Sequence, residues 1–115
     1  MLRFKSGSLF ALASLLLLSA GGTVSAADAV VVSLTLKDHK FVPAEPTAPA
    51  GRPITIELTN ADPTPAEFES KPLRAEKVVV GGGKITVQVR ALTPGRYRFF
   101  DDEHEATTEG FLVVK

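Results

Sequence analysis

The sequence predicts an exported chain whose folded part is one small all-β domain, either a sandwich or a barrel. Three observations predict it. Apolar residues alternate with polar ones, or run briefly, in short segments of strand length. Gly, Pro, Asn and Asp interrupt those segments at fairly regular intervals. No stretch beyond the N-terminal leader carries a helical period of useful length.

The leader comes first. Arg3 and Lys5 are basic, Leu9 to Ala20 is apolar, and small residues lead to Val24-Ser25-Ala26. Basic start, apolar centre and small-residue exit are the order of a secretory signal peptide. The apolar centre is shorter than the ~20 residues that span a bilayer, and nothing later is long and apolar enough. The expected division is residues 1–26 as signal peptide and 27–115 as the domain, with Ala27 the alternative cleavage point.

The strands follow in order. Val30 to Leu36 reads as the first, and Phe41-Val42-Pro43 carries it to an end. Pro46 to Gly51 is rich in turn formers and reads as a connection. In Ile54 to Leu58 the residues Ile54, Ile56 and Leu58 share one face, with Thr55 and Glu57 on the other. Asn60 to Pro65, with two prolines and Asp62, must be a loop. Phe68 lies in a short segment after it. Lys77 to Val80 is a strand, Gly81-Gly82-Gly83 a turn, and Ile85, Val87 and Val89 alternate with Thr86, Gln88 and Arg90. Pro94-Gly95 turns the chain into the Tyr97 and Phe99 strand, and Phe111 to Val114 is the last. Phe41, Phe68, Phe99 and Phe111 are the expected aromatic core.

Composition removes several function classes. The chain has no cysteine, so no disulfide supports the small core, and no thiolate is available for nucleophilic attack or soft-metal binding. Basic and acidic residues balance at thirteen each. Loss of Arg3 and Lys5 with the leader makes the domain about −2, which disfavours a nucleic-acid partner. No Gly-x-Ser-x-Gly elbow frames a serine nucleophile. The triple glycine at Gly81 is followed by Lys84-Ile85 and opens no helix, so it is not a phosphate loop. A domain this small offers little cleft for paired-acid glycoside chemistry.

Two histidines remain, His39 and His104, both at strand ends. Asp101, Asp102, Glu103 and Glu105 surround the second, and Glu67 and Glu69 follow the proline loop. A run of acids is ordinarily a solvated face. Imidazole with carboxylate is also the donor set that suits iron, copper or zinc. Sequence spacing cannot bring His39 to His104; a fold must.

Certain residues carry a resemblance. Phe41-x-Pro43, Ala50-Gly51, Asn60 before a proline loop, Leu92-x-Pro94-Gly95-x-Tyr97-x-Phe99, His104 and Gly110-x-Leu112-Val113-Val114 occur in that order. This resembles the cupredoxin domain, a Greek-key β-sandwich of exported copper proteins, over nearly the whole of residues 27–115. The most specific piece is Pro-Gly-x-Tyr-x-Phe with a histidine seven residues after the tyrosine. Typical members have a cysteine after Tyr-x-Phe, a histidine three residues on, a methionine before the final glycine, and another histidine after the proline loop. In this chain Asp101 stands in the cysteine slot and His104 in the histidine slot. Thr108 and Glu109 occupy the methionine region, and Ala66 and Glu67 follow the proline loop. A type-1, blue-copper centre needs the thiolate, so blue-copper electron transfer is excluded.

The resemblance implies more. In such folds the position two residues before Phe41 approaches the C-terminal histidine ligand, which would bring His39 to His104, with Glu67 across and Asp101 or Asp102 below. The implied metal site is His39, Glu67, Asp101, Asp102 and His104, binding iron(II) or copper(II). Each imidazole must be neutral to bind, so affinity should fall as pH drops through about 6.5.

Lys37-Asp38-His39-x-Phe41-x-Pro43-Ala44-Glu45, Pro65-x-Glu67-Phe68-Glu69-Ser70 and the acid-x-His104 stretch narrow the likeness. They resemble the cysteine-less periplasmic cupredoxin-like proteins found with bacterial iron-permease uptake systems. That implies a periplasmic metal-binding accessory of ferrous iron uptake, more a binding protein than an enzyme, though ferroxidase-type assistance is open to it. Its partner would be a membrane iron permease. The alternative is a metal-free module of the same fold, kept for docking to a membrane transport partner. Proximity of the two histidine rings separates the two readings.

Overall fold

The computed structural model describes residues 29–115; the expected signal peptide and its cleavage point lie outside the described residues. Nine strands form: β1 (Val30–Lys37), β2 (Lys40–Val42), β3 (Thr47–Ala48), β4 (Ile54–Asn60), β5 (Ala66–Ser70), β6 (Ala75–Val79), β7 (Lys84–Val89), β8 (Gly95–Asp101) and β9 (Glu109–Val114). A 3-10 turn at Asp102–His104 follows β8.

The strands make two sheets, ordered β2-β1-β4-β7 and β3-β9-β8-β5-β6. Both are mixed. β1 lies parallel to β4 and β3 parallel to β9, while the other pairs are antiparallel. The architecture is an all-β sandwich.

Alternation in the sequence becomes alternation across each sheet, because successive side chains of a strand point to opposite faces. Val32, Leu34 and Leu36 of β1 are buried beside Ile54, Ile56 and Leu58 of β4. The second sheet contributes Ala66, Phe68, Val79, Phe99, Leu112 and Val114 to the same core. The rings of Phe68 and Phe99 stack with centroids 5.3 Å apart, and Phe41 meets Phe99 edge-on at 5.0 Å. Such pairs add to the area they bury. They also anchor the chain two residues away from His39 on one side and from Asp101 on the other.

Two expectations need correction. Phe111 is only half-buried: the parity of β9 sends Gly110 and Leu112 inward, and the Arg96 guanidinium covers the Phe111 ring at 4.4 Å. The Pro46 to Gly51 connection contains β3, which pairs with β9 through Thr47 and Ala48. Two residues are too few to display a period.

The loops at the site end are tied together by Asn60, fully buried at the end of β4. Its side-chain amide donates to the carbonyls of Thr64 (2.8 Å), Val79 (3.3 Å) and Val80 (3.2 Å), and its Oδ1 accepts the Asp62 N–H at 3.0 Å. Gly81 lies against this loop so closely that a Cβ there would sit 2.1 Å from the Pro63 carbonyl oxygen.

Candidate metal centre

His39 sits in the turn between β1 and β2. Asp38 and His39 both have positive φ, 52° and 59°, the backbone of a two-residue hairpin loop that follows strand twist. Side chains rarely adopt that conformation unaided, so the turn needs support. Asp62, 7% exposed, provides it: its carboxylate accepts the N–H of Asp38 at 2.7 Å and of His39 at 2.9 Å. Those bonds favour the ionised form. The His39 amide is the largest cause that holds the Asp62 carboxyl below the usual aspartate range; burial opposes it, and the Asp38 amide and nearby positive charge add to it. From the other side, the hydroxyl of buried Thr108 donates to the His39 carbonyl at 2.7 Å. His39 is thus clamped through both of its backbone groups.

His104 closes the 3-10 turn after β8. Asp101, 1% exposed, caps that turn. Its Oδ1 accepts the N–H of Glu103 at 3.0 Å and of Glu67, on β5, at 3.0 Å. Its Oδ2 lies 3.2 Å from Nδ1 of His104. In the slot where a cysteine was expected from the resemblance, a carboxylate joins the end of β8, the start of β5 and the His104 ring.

The two rings meet. The centroids of His39 and His104 are 4.3 Å apart, with the ring planes inclined at 42°, and both side chains are partly exposed, at 49% and 41%. With the rings this close, His39 and His104 are the two imidazoles that could donate to a single ion, for which imidazole ligation is typically at ~2.0–2.1 Å.

The carboxylates divide differently from the expectation. Asp101 lies beneath His104. Glu67 and Glu69 alternate with buried Phe68, so they point to the outer face of their sheet, where Glu69 pairs with Glu76 across β5 and β6. One carboxylate oxygen from each of Glu67, Glu69 and Glu76 falls within 4.8 Å of the others; this is the one set of three potential donors drawn that tightly among the described residues. Asp102 faces the same side, in a groove it lines with Glu69, Lys71, Arg98, Phe100 and Glu105.

Two of these acids, Glu67 and Glu69, are raised. A hydrogen bond with Glu76 is the main cause that lifts the Glu67 carboxyl above the usual glutamate range, followed by burial and the charges of Glu76, Asp102 and Glu69. Burial comes first for Glu69, then Asp102, Glu76 and Glu105.

Sequence reasoning passed over Asp62, Thr108 and Glu76 as site residues. Asp62 had a local signal, an Asn-x-Asp step before a proline. Thr108 and Glu76 had none, since their roles depend on pairing between distant strands.

The donor set decides one question of chemistry. Type-1 copper requires a thiolate, the chain has no cysteine, and Asp101 is buried with its oxygens already bonded. The residues do not fit that centre. Imidazole is a donor of the type that suits a borderline divalent ion.

Similar proteins agree on the fold. An uncharacterized protein of Rickettsia prowazekii (strain Madrid E) is 42% identical over 83 residues, covering 72% of this chain and 66% of the relative, so the chain spans just under two thirds of that protein's length. Auracyanin A, a blue copper protein of Chloroflexus aurantiacus, matches with a TM-score of 0.65 at 16% identity, over 76% of this chain and 99% of its own. The metal-binding domain of the Streptococcus pneumoniae D39 Cu(I)-exporting P-type ATPase CopA, solved with Cu(I), matches with a TM-score of 0.68 at 14% identity, over 76% and 87%. The periplasmic domain of cytochrome oxidase subunit II from Bradyrhizobium japonicum gives 0.64 at 14% identity, over 75% and 83%. At such identities the likeness is one of fold alone. The family described as the cupredoxin-like domain matches residues 8–114, nearly the whole chain, and with the mixed-sheet sandwich in place the chain belongs to that family.

Proposed function

We propose that this chain is an exported, periplasmic metal-binding accessory of iron uptake that holds iron(II) or copper(II) through His39 and His104 and delivers it to, or conditions it for, a membrane iron permease. The observation that carries the metal reading is the convergence of two histidines, far apart in sequence, to 4.3 Å between ring centroids at one end of the sandwich. Solved structures of the same fold that include a blue copper protein and a domain solved with Cu(I) support a metal-binding reading. The absence of cysteine directs the chemistry toward nitrogen and oxygen donors and away from copper(I). The iron pathway, the periplasmic location and the permease partner rest on the sequence likeness to cysteine-less cupredoxin-like proteins of iron-permease systems. The metal is cargo in this reading.

Glu67, Glu69 and Glu76 gather on the outer face of their sheet, and Asp102 lines a groove with Glu69 on that side. Oxygen donors favour the harder, higher oxidation state of iron. Iron(II) bound by carboxylates of this kind would lose one electron to an external oxidant more readily, without requiring turnover by this chain.

Calorimetric titration of the protein with copper(II), and anaerobically with iron(II), tests the reading. A single site is expected whose affinity falls at least tenfold in the His39→Ala, His104→Ala double variant. Unchanged affinity in that variant would exclude the histidine site, and no binding by the unaltered protein would favour the metal-free docking module.

A further inference from the structure

We infer that Asp101 and Asp62 are positioning carboxylates behind the two histidines, not metal ligands, and that His104 meets the ion through Nε2. The inference rests on the metal reading above and names the ligating atom within it.

Asp101 already has hydrogen-bond partners of its own. It is 1% exposed, and its Oδ1 accepts two backbone N–H groups, from Glu67 and Glu103. Oδ1 thus acts as an acceptor, and in an ionised carboxylate so does the second oxygen. Its partner Oδ2, 3.2 Å from Nδ1 of His104, then accepts the ring hydrogen. Nδ1 is the protonated nitrogen of the neutral ring, and Nε2 carries the free lone pair. A ring whose second nitrogen is held by a carboxylate is oriented, fixed in one tautomer and made a better donor.

Asp62 stands in a parallel relation to His39. Its two oxygens hold the amides of Asp38 and His39, and Oδ2 lies 3.9 Å from Nδ1 of His39. That distance exceeds a hydrogen bond, so Asp62 acts on His39 chiefly through the backbone turn. Asp62 lies in the loop after β4 and holds the His39 backbone, whereas Asp101 ends β8 and faces the His104 ring. To ligate an ion, Asp62 would have to give up an amide bond and Asp101 the contact of its Oδ2 with His104, in a buried setting where such a loss costs more than at the surface.

The replacement Asp101→Asn is informative because of its polarity. Oδ1 can still accept both amides, while the group facing Nδ1 becomes an NH2 donor. A donor there requires an unprotonated Nδ1, which places the hydrogen on Nε2 and blocks the atom assigned to the metal.

The test combines ring 15N resonances of the metal-free, 15N-labelled protein at pH 8 with copper(II) titration. In the unaltered protein His104 should show a pyrrole-type Nδ1 and a pyridine-type Nε2, opposite to the usual preference of free histidine. In Asp101→Asn that pattern should invert, and copper(II) affinity should fall about 10–100-fold, the usual effect of losing such a partner. A pyrrole-type Nε2 in the unaltered protein would overturn the assignment, and it needs no variant that might fail to fold. Full copper(II) affinity in a folded Asp101→Asn would overturn it as well. Absence of copper(II) binding by the unaltered protein would sink the functional reading and the ligand atom with it, while the resonances would still decide the Asp101–His104 pairing.

Discussion

At the scale of the residue, the site end of the sandwich contains carboxyls pulled in opposite directions. Asp62 lies below its ordinary range because amides and positive charge favour its ionised form. Its contribution to stability is therefore present above the unfolded aspartate value and is lost as pH falls through the lower native value. Glu69 is the reverse. Burial and the neighbouring acids raise it, so the relative stability it confers is complete below the ordinary glutamate value and is lost as pH rises through the native value. Above that window the charge on Glu69 works against folding. Glu69→Gln should therefore melt at a higher temperature than the unaltered protein at pH 7, and the difference should shrink as the solution is acidified below pH 4. Melting curves across that range check it; an equal advantage at every pH would point to something other than charge.

Among the elements, the loops matter most, because His39 is placed by residues distant in the chain, Asp62 and Thr108. The path runs from Asn60, which holds the loop and the Asp62 N–H, through Asp62 to the Asp38-His39 turn. The Gly82 N–H adds a bond to the Asp62 carbonyl at 3.0 Å. Gly81 permits this close approach, since a side chain there would meet the backbone of Pro63. Gly81→Ala should cost about 1–3 kcal/mol by overpacking. It should also weaken copper(II) binding, although residue 81 is no ligand. Chemical denaturation and the titration described above measure the two effects. In the core, Phe99→Ala should cost about 3–5 kcal/mol, because the ring is fully buried between Phe41 and Phe68.

For the whole molecule, the proposed metal binding would be linked to stability. An ion that joins β1–β2 to the turn after β8 binds the folded chain and has no such pair of rings in the unfolded one. At a free copper(II) concentration 100 times the dissociation constant, the folded state gains about 2.7 kcal/mol. A domain of this size should then melt several degrees higher. The rise should vanish on chelation and be absent from His39→Ala, His104→Ala. A rise of the same size in the double variant would place the ion elsewhere, with Glu67, Glu69 and Glu76 the first set to examine.

Sequence alone determined that the domain is all-β, because one buried face imposes a period of two on Val32, Leu34 and Leu36, on Ile54, Ile56 and Leu58, and on Val87 and Val89. It also determined that thiolate chemistry is impossible, since the chain has no cysteine, and it singled out His39 and His104 as the nitrogen donors to follow. Tertiary structure decided the rest. Parallel pairing of β3 with β9 and the half-exposed place of Phe111 depend on partners distant in the chain. So does the division of the acids, with Asp101 turned inward under His104 and Glu67 turned outward to Glu69 and Glu76. A carboxylate reads the same in sequence whether it faces an ion, an amide or solvent. What distinguishes these roles is which backbone N–H groups the fold brings to it, and here the fold brings two to Asp101 and two to Asp62.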